Sequence, residues 1–241
     1  MNQILLSGIS RGVGIEIAKE LLQNTDYFII GIYHNNNDQL DKLENLYSGR
    51  LKLISYDLSA PEGIKELYLS KIKSENPIVG LVNNAAIAYD DIVTNANINS
   101  IESMFRINVF SPIMLSKYVI RDMLLHKVPG TLVHISSICA HTGYKGLSFY
   151  ASTKGAIEAF SKNVAREWGG VGIRSNCIVP GFMNTDMSSG LSDEQRNRIY
   201  GRNALKKEIS ISSVAKTTKY LLSEDSSSVT GTCIFIDNGT I

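Results

Sequence analysis

"ILLSGISRGVG", Ile4 to Gly14, is the stretch that decides the fold. Ile4 to Ser7 is a short apolar run of the kind that is buried on both faces, and a helical period begins near Val13. Between the two stand Gly8, Gly12 and Gly14. Glycines at a strand-to-helix turn let the backbone approach a ligand closely, and the helix that follows aims unpaired amides and its positive dipole end at that ligand. An anion suits such a place, and the pyrophosphate of a dinucleotide suits it best. The spacing is GxxxGxG rather than GxGxxG, so the weight of the motif comes from its position between a strand and a helix.

Outward from this turn, apolar β-branched runs alternate with helical patterns along the whole chain. Strands are expected at Ile4 to Ser7, Tyr27 to Tyr33, Leu51 to Tyr56, Ile78 to Asn83, Thr131 to Ser136, Arg174 to Val179 and Thr232 to Ile236. Helices are expected near 13–23, 37–48, 61–75, 100–127, 149–168 and 211–223. The pattern predicts an α/β chain: one Rossmann-type, doubly wound parallel sheet of about seven strands with helices on both faces. Residues 1–241 read as one domain, because nothing repeats at a fixed period and no Pro/Gly/Ser-rich linker divides them. Residues 181–207 carry the weakest period and read as a substrate lid.

The 241 residues carry 24 basic and 23 acidic side chains, with no run of five like charges. That balance points away from nucleic acid and membrane surfaces and toward a small-molecule partner. The longest apolar stretch, "FIIGIY", is too short to span a bilayer, and the start lacks a basic n-region, so a cytoplasmic protein is expected. Three cysteines, Cys139, Cys177 and Cys233, lie far apart with no CxxC, which indicates neither a disulfide framework nor a metal site.

Chemistry concentrates in "SFYASTK", where Tyr150 and Lys154 stand four apart and share a helix face. An ammonium near a phenol favours phenolate and lowers the tyrosine pKa, which would make Tyr150 a usable proton donor or acceptor. Ser137 lies 13 residues earlier, at the carboxyl end of a buried strand, where open α/β sheets bind ligands. At the end of the second strand Tyr33, His34 and Asn35 occupy the place where NAD-selective sites put an acid, and the first acid, Asp38, falls beyond it. Arg11, inside the glycine turn, has the planar fork that pairs with a 2'-phosphate, so NADPH (NADP+) is expected over NADH. In "RINVFSPIML", Pro112 withholds an amide from the Asn108 carbonyl four residues back, and so leaves it open to another partner.

"SGISRGVG", "NNAA", Asn108, Ser137, "YASTK" and "PGFMNTDM", in this order and spacing, resemble the short-chain dehydrogenases/reductases over essentially the whole chain. The pattern is most similar to that of NADPH-dependent 3-oxoacyl-[acyl carrier protein] reductases. The resemblance implies a catalytic tetrad of Asn108, Ser137, Tyr150 and Lys154. Ser137 would hydrogen-bond the substrate oxygen and Tyr150 would give it a proton. Lys154 would hold the ribose hydroxyls, and the Asn108 main-chain carbonyl would bind a water that resupplies protons to Lys154. A cofactor groove is implied along Gly8, Ser10, Arg11, Gly12, Val13 and Gly14, then Tyr33, His34, Asn35, Asp57 and Leu58. It continues past Asn84, Ala85 and Ala86, past Tyr150 and Lys154, to Pro180, Gly181 and Thr185. Asp57 would meet the adenine, and Thr185 the carboxamide or phosphates.

The resemblance also implies a homotetramer and reduction of a carbonyl, such as a 3-oxoacyl thioester or similar ketone. Two departures bear on this. "NNAA" has Ala86 where the family usually has glycine. Carrier-protein reductases tend to carry docking arginines at positions that here are Val128 and Val171, so a carrier-bound substrate is not expected. The rival readings are an NAD-linked dehydrogenase that oxidises a sugar, polyol or other secondary alcohol, and a non-catalytic NADP-binding regulator. The missing acid opposes the first rival, and the intact tetrad opposes the second.

Overall fold

The computed structural model describes residues 1–184 and 192–241. Its strands are β1 (Gln3–Ser7), β2 (Phe28–Tyr33), β3 (Leu51–Ser55), β4 (Ile78–Asn83), β5 (Gly130–Ile135), β6 (Ile173–Pro180) and β7 (Cys233–Ile236). They form one parallel sheet in the order β3-β2-β1-β4-β5-β6-β7. The near-continuous apolar runs now have their reason. Ile4 and Leu6 of β1 face one core and Leu5 faces the other, so every residue of the strand is covered. Burying each such side chain stabilises the fold by about 1.5 to 3 kcal/mol.

One layer holds α1 (Gly12–Asn24), α2 (Asp38–Leu46) and α8 (Ile211–Leu222), and α1 packs along α8. The other holds α3 (Ile64–Leu67), α5 (Ser111–His126) and α6 (Ser148–Trp168), with α4 (Ile98–Phe105) packed on α6. The chain order changes direction at β1 and β4, so a crevice opens at the carboxyl ends of these strands, where β1 runs into the glycine turn.

Two expected helices are divided. The segment 61–75 is a 3₁₀ turn at Pro61–Gly63, then α3, then a π turn at Tyr68–Ile72. The segment 100–127 is α4, a π turn at Arg106–Phe110, and α5. In the second, the Ser111 amide donates to the Arg106 carbonyl five residues back, and Pro112 follows with no amide to resume the four-residue register. In the expected lid, Asp193–Tyr200 forms a further helix, α7, behind a capping box from Ser192 to Gln195. Thr185, and with it part of that lid, lies outside the described residues.

Candidate active site

The glycine turn is built for close backbone approach. Gly8 and Gly12 have φ of 70° and 54°, in the left-handed region. A Cβ on Gly14 would fall 1.9 Å from the Gly8 carbonyl oxygen, so glycine there lets α1 pack against the turn. Arg11 precedes α1 without a side-chain cap on the helix amides, and the first turn of α1 contains no acid. Those amides and the positive helix end fit a pyrophosphate. Val13 is half-buried beside them.

"NNAA" acts as a strap. The Ser7 hydroxyl accepts from the amides of Asn84 (3.1 Å) and Ala85 (3.2 Å). The Asn84 side chain donates to the carbonyls of Ser7 (3.2 Å) and Gly8 (2.9 Å). A residue the sequence reading missed fixes the turn from the other side. Asn37 donates to the Ser10 carbonyl (2.8 Å), and its oxygen caps α2 by accepting from the Leu40 amide (3.0 Å). The signal was present in "NNNDQL", where an asparagine precedes a helical period.

At the outer end of the groove, Tyr33 is half-buried and His34 and Asn35 are exposed. Strand pairing adds an acid to this edge, because sheet neighbours matter as much as chain neighbours. Asp57, which follows β3, lies 4.0 Å from His34. The Ser59 amide donates to Asp57 at 2.8 Å, and that bond holds its carboxyl below the usual range. Leu58 is buried, with its carbonyl taken by Ser111 (2.6 Å). Ala86 is half-buried after the strap, and Pro180 closes β6. Gly181 donates to Ile236 (3.0 Å), and any Cβ on it would meet Ile209 at 2.5 Å.

The chemical groups meet where β5 ends. Ser137 is extended and opens a 3₁₀ turn, its hydroxyl accepting from the Cys139 amide at 3.3 Å. Lys154, 4% exposed, donates to the Ile135 carbonyl at the end of β5 (2.8 Å), and its Nζ lies 5.4 Å from the centre of the Tyr150 ring. Burial brings the Lys154 ammonium down to about 8. Burial pushes the Tyr150 phenol up, and the nearby Cys139 and Asp90 act in the same direction. This reverses the expected lowering by Lys154. Loss of water around the phenol outweighs a cation whose nearest partner is a backbone carbonyl.

Asn108 is buried, and its side chain is fully engaged. Its oxygen accepts from the Ile87 amide (2.9 Å), and its nitrogen donates to the Ile87 carbonyl (2.8 Å) and to Thr153 on α6 (3.1 Å). Only its main chain is left for chemistry. His134, inside β5, is a satisfied core histidine. Asn83 donates to its Nδ1 (3.1 Å), Ser175 faces its Nε2 (3.4 Å), and burial takes it down to about 3, so it stays neutral. His141, Glu158 and Cys233 gather one nitrogen, one oxygen and one sulfur atom within 4.8 Å, a grouping the sequence reading did not foresee. No helix among the described residues is long and apolar enough to cross a membrane.

Relatives agree with this architecture. Residues 8–240 match the family described as "Enoyl-(Acyl carrier protein) reductase". A 3-oxoacyl-[acyl-carrier-protein] reductase of Chlamydia pneumoniae is 30% identical, over 98% of this chain and 96% of that protein. Carbonyl reductase [NADPH] 2 of Sus scrofa is 29% identical, over 98% and 94%. The solved structure of 4-hydroxyisoleucine dehydrogenase complexed with NADH superposes with a TM-score of 0.93 at 24% identity, over 100% and 98%, a likeness of fold. A parallel seven-stranded sheet, a glycine turn fitted to a pyrophosphate and relatives along the full length together place this chain in the short-chain dehydrogenase/reductase family of oxidoreductases.

Proposed function

We propose that the protein is an NADPH-dependent carbonyl reductase acting on a small ketone or 3-oxoacyl thioester. The observation that carries this reading is the burial of Lys154 against Tyr150 on one face of α6, with the Lys154 ammonium tied to β5 two residues before Ser137. The bound nicotinamide supplies the hydride. Gly8, Ser10, Arg11, Gly12, Val13 and Gly14 would hold the phosphates, and Tyr33, His34, Asn35, Asp57 and Leu58 the adenosine end. Asn84, Ala85, Ala86, Pro180, Gly181 and Thr185 would line the remainder.

Ser137 donates a hydrogen bond to the substrate oxygen, and Tyr150 passes its phenolic proton to that oxygen as charge builds there. Burial keeps that phenol protonated until the substrate oxygen gains charge. Lys154, which would bind the ribose hydroxyls, stabilises the phenolate and passes it a proton. The Asn108 carbonyl seats a water that returns a proton to Lys154. Family likeness supports a homotetramer working in the cytoplasm.

A second reading, an NAD-linked dehydrogenase oxidising a secondary alcohol, is favoured by Asp57 beside His34, since an acid at that edge suits ribose hydroxyls better than a phosphate. Comparing kcat/KM for NADPH and NADH separates the two. In the test of the mechanism, Tyr150→Phe lowers turnover by about a hundredfold to ten-thousandfold, while NADPH binding and folding stay intact. Near wild-type turnover in this variant would sink the proposal.

A further inference from the structure

The turn that carries Ser137 is pinned at both ends by one carboxylate. Glu158 lies on α6, four residues beyond Lys154 and eight beyond Tyr150, a spacing that puts all three on one helix face. It is buried, 6% exposed, and accepts a short hydrogen bond from the hydroxyl of Ser136, the residue before Ser137. The same carboxylate meets the ring of His141, whose Nε2 lies 3.0 Å from one oxygen and 2.9 Å from the other. Ser136 and His141 bracket the turn, which is closed internally by Ala140 donating to Ser137 (3.1 Å) and His141 donating to Ile138 (2.9 Å). Behind His141 stands the Phe235 ring, at 4.8 Å between centres.

A buried carboxylate is costly unless its acceptor capacity is used, and here it is used on both sides. The Cys233 thiol completes a donor set that a zinc ion would accept. With its carboxylate already engaged by Ser136 and His141, however, the cluster has the character of a hydrogen-bonded clamp rather than a chelate.

We propose that Glu158 is a positioning residue, holding the Ser137 turn at a fixed distance from Tyr150 and Lys154 through Ser136 and His141. The inference rests on the reading that Ser137, Tyr150 and Lys154 perform the reduction. Glu158 touches no reacting atom, and its effect is transmitted through Ser137. A displacement of the order of 1 Å at a reacting group costs as much as about a hundredfold in rate.

The test is a double-mutant cycle on the full-length protein, read as kcat with NADPH and a ketone substrate, NADPH affinity and melting temperature. Glu158→Leu should lower kcat by about tenfold to a hundredfold with NADPH affinity unchanged, and Glu158→Gln, which keeps the shape and the hydrogen bonds, should restore most of it. In a Ser137→Ala background, Glu158→Leu should cost little further, because the group it positions has been removed. If Glu158→Leu does not fold, His141→Ala, which releases one end of the turn, takes its place in the cycle. Fully additive losses would overturn the proposal, as would a kcat loss accompanied by weaker NADPH binding, which would route the effect through Lys154. Zinc inhibition of the wild type that disappears in Cys233→Ser would overturn it too, by making the cluster a metal site. A Ser137→Ala variant with wild-type turnover would instead defeat the catalytic reading beneath it.

Discussion

Replacing Lys154 with methionine should stabilise the protein while it destroys the activity. The side chain is buried, and burial brings its pKa from the ordinary 10.5 down to about 8. At about 1.36 kcal/mol per pH unit, holding that ammonium in the fold costs about 3 kcal/mol at pH 7. Methionine keeps the length of the side chain and removes the charge. It also gives up the charged bond to the Ile135 carbonyl, a loss of about 2 kcal/mol. The net gain at pH 7 is therefore about 1 kcal/mol. Unfolding returns the wild-type lysine to its ordinary value, so between pH 8 and 10.5 the unfolded chain binds the extra proton and rising pH favours the wild-type fold. Urea unfolding of both proteins at pH 7 and pH 10 is the assay. The methionine variant should lead by about 1 kcal/mol at pH 7 and trail the wild type by about as much near pH 10. A variant less stable at pH 7, or a lead of the same size at both pH values, would refute the reasoning.

Two other substitutions follow from the site. Arg11→Ala should weaken NADPH binding by about 1.5 to 3 kcal/mol, the range for hydrogen bonds to charged groups, and leave NADH nearly unaffected in parallel titrations. Equal losses would show that Arg11 does not read the 2'-phosphate. Pro112→Ala supplies an amide next to the π turn and so competes for the carbonyls of Ile107 and Asn108. Turnover should fall by about fivefold to tenfold, the equivalent of one net hydrogen bond, with NADPH affinity unchanged. Unchanged turnover in a more stable protein would reduce the proline to a shaper of the kink.

Strand positions were legible because parallel strands buried on both faces, such as Ile78–Asn83, are apolar without interruption. The π turns were not legible, since apolar residues in 100–127 keep a helical period across Arg106–Phe110, and a one-residue change of hydrogen-bond register leaves composition untouched. Tyr150, Lys154 and Ser137, the candidate chemical residues, could be singled out by spacing and strand end. What spacing could not give is contact between strands and helices remote in sequence. Asp57 reaches His34 only through the pairing of β2 with β3, and Glu158 reaches Ser136 and His141 only when α6 is laid on β5. The direction of the Tyr150 shift depends in the same way on burial, a property of the assembled site.

The strand order also sets a timetable for biosynthesis. β1 is flanked by β2 and β4, so its second edge is covered only by residues 78–83, although its first partner is complete at Tyr33. At a ribosomal rate of about 5 to 20 residues per second, the growing chain carries that edge bare for roughly 2 to 10 s. The edge belongs to a strand whose five residues are all buried in the finished protein. During those seconds it is a template for pairing with another nascent chain, so yield on overexpression should depend on chaperone capacity and on translation speed between Tyr33 and Ile78.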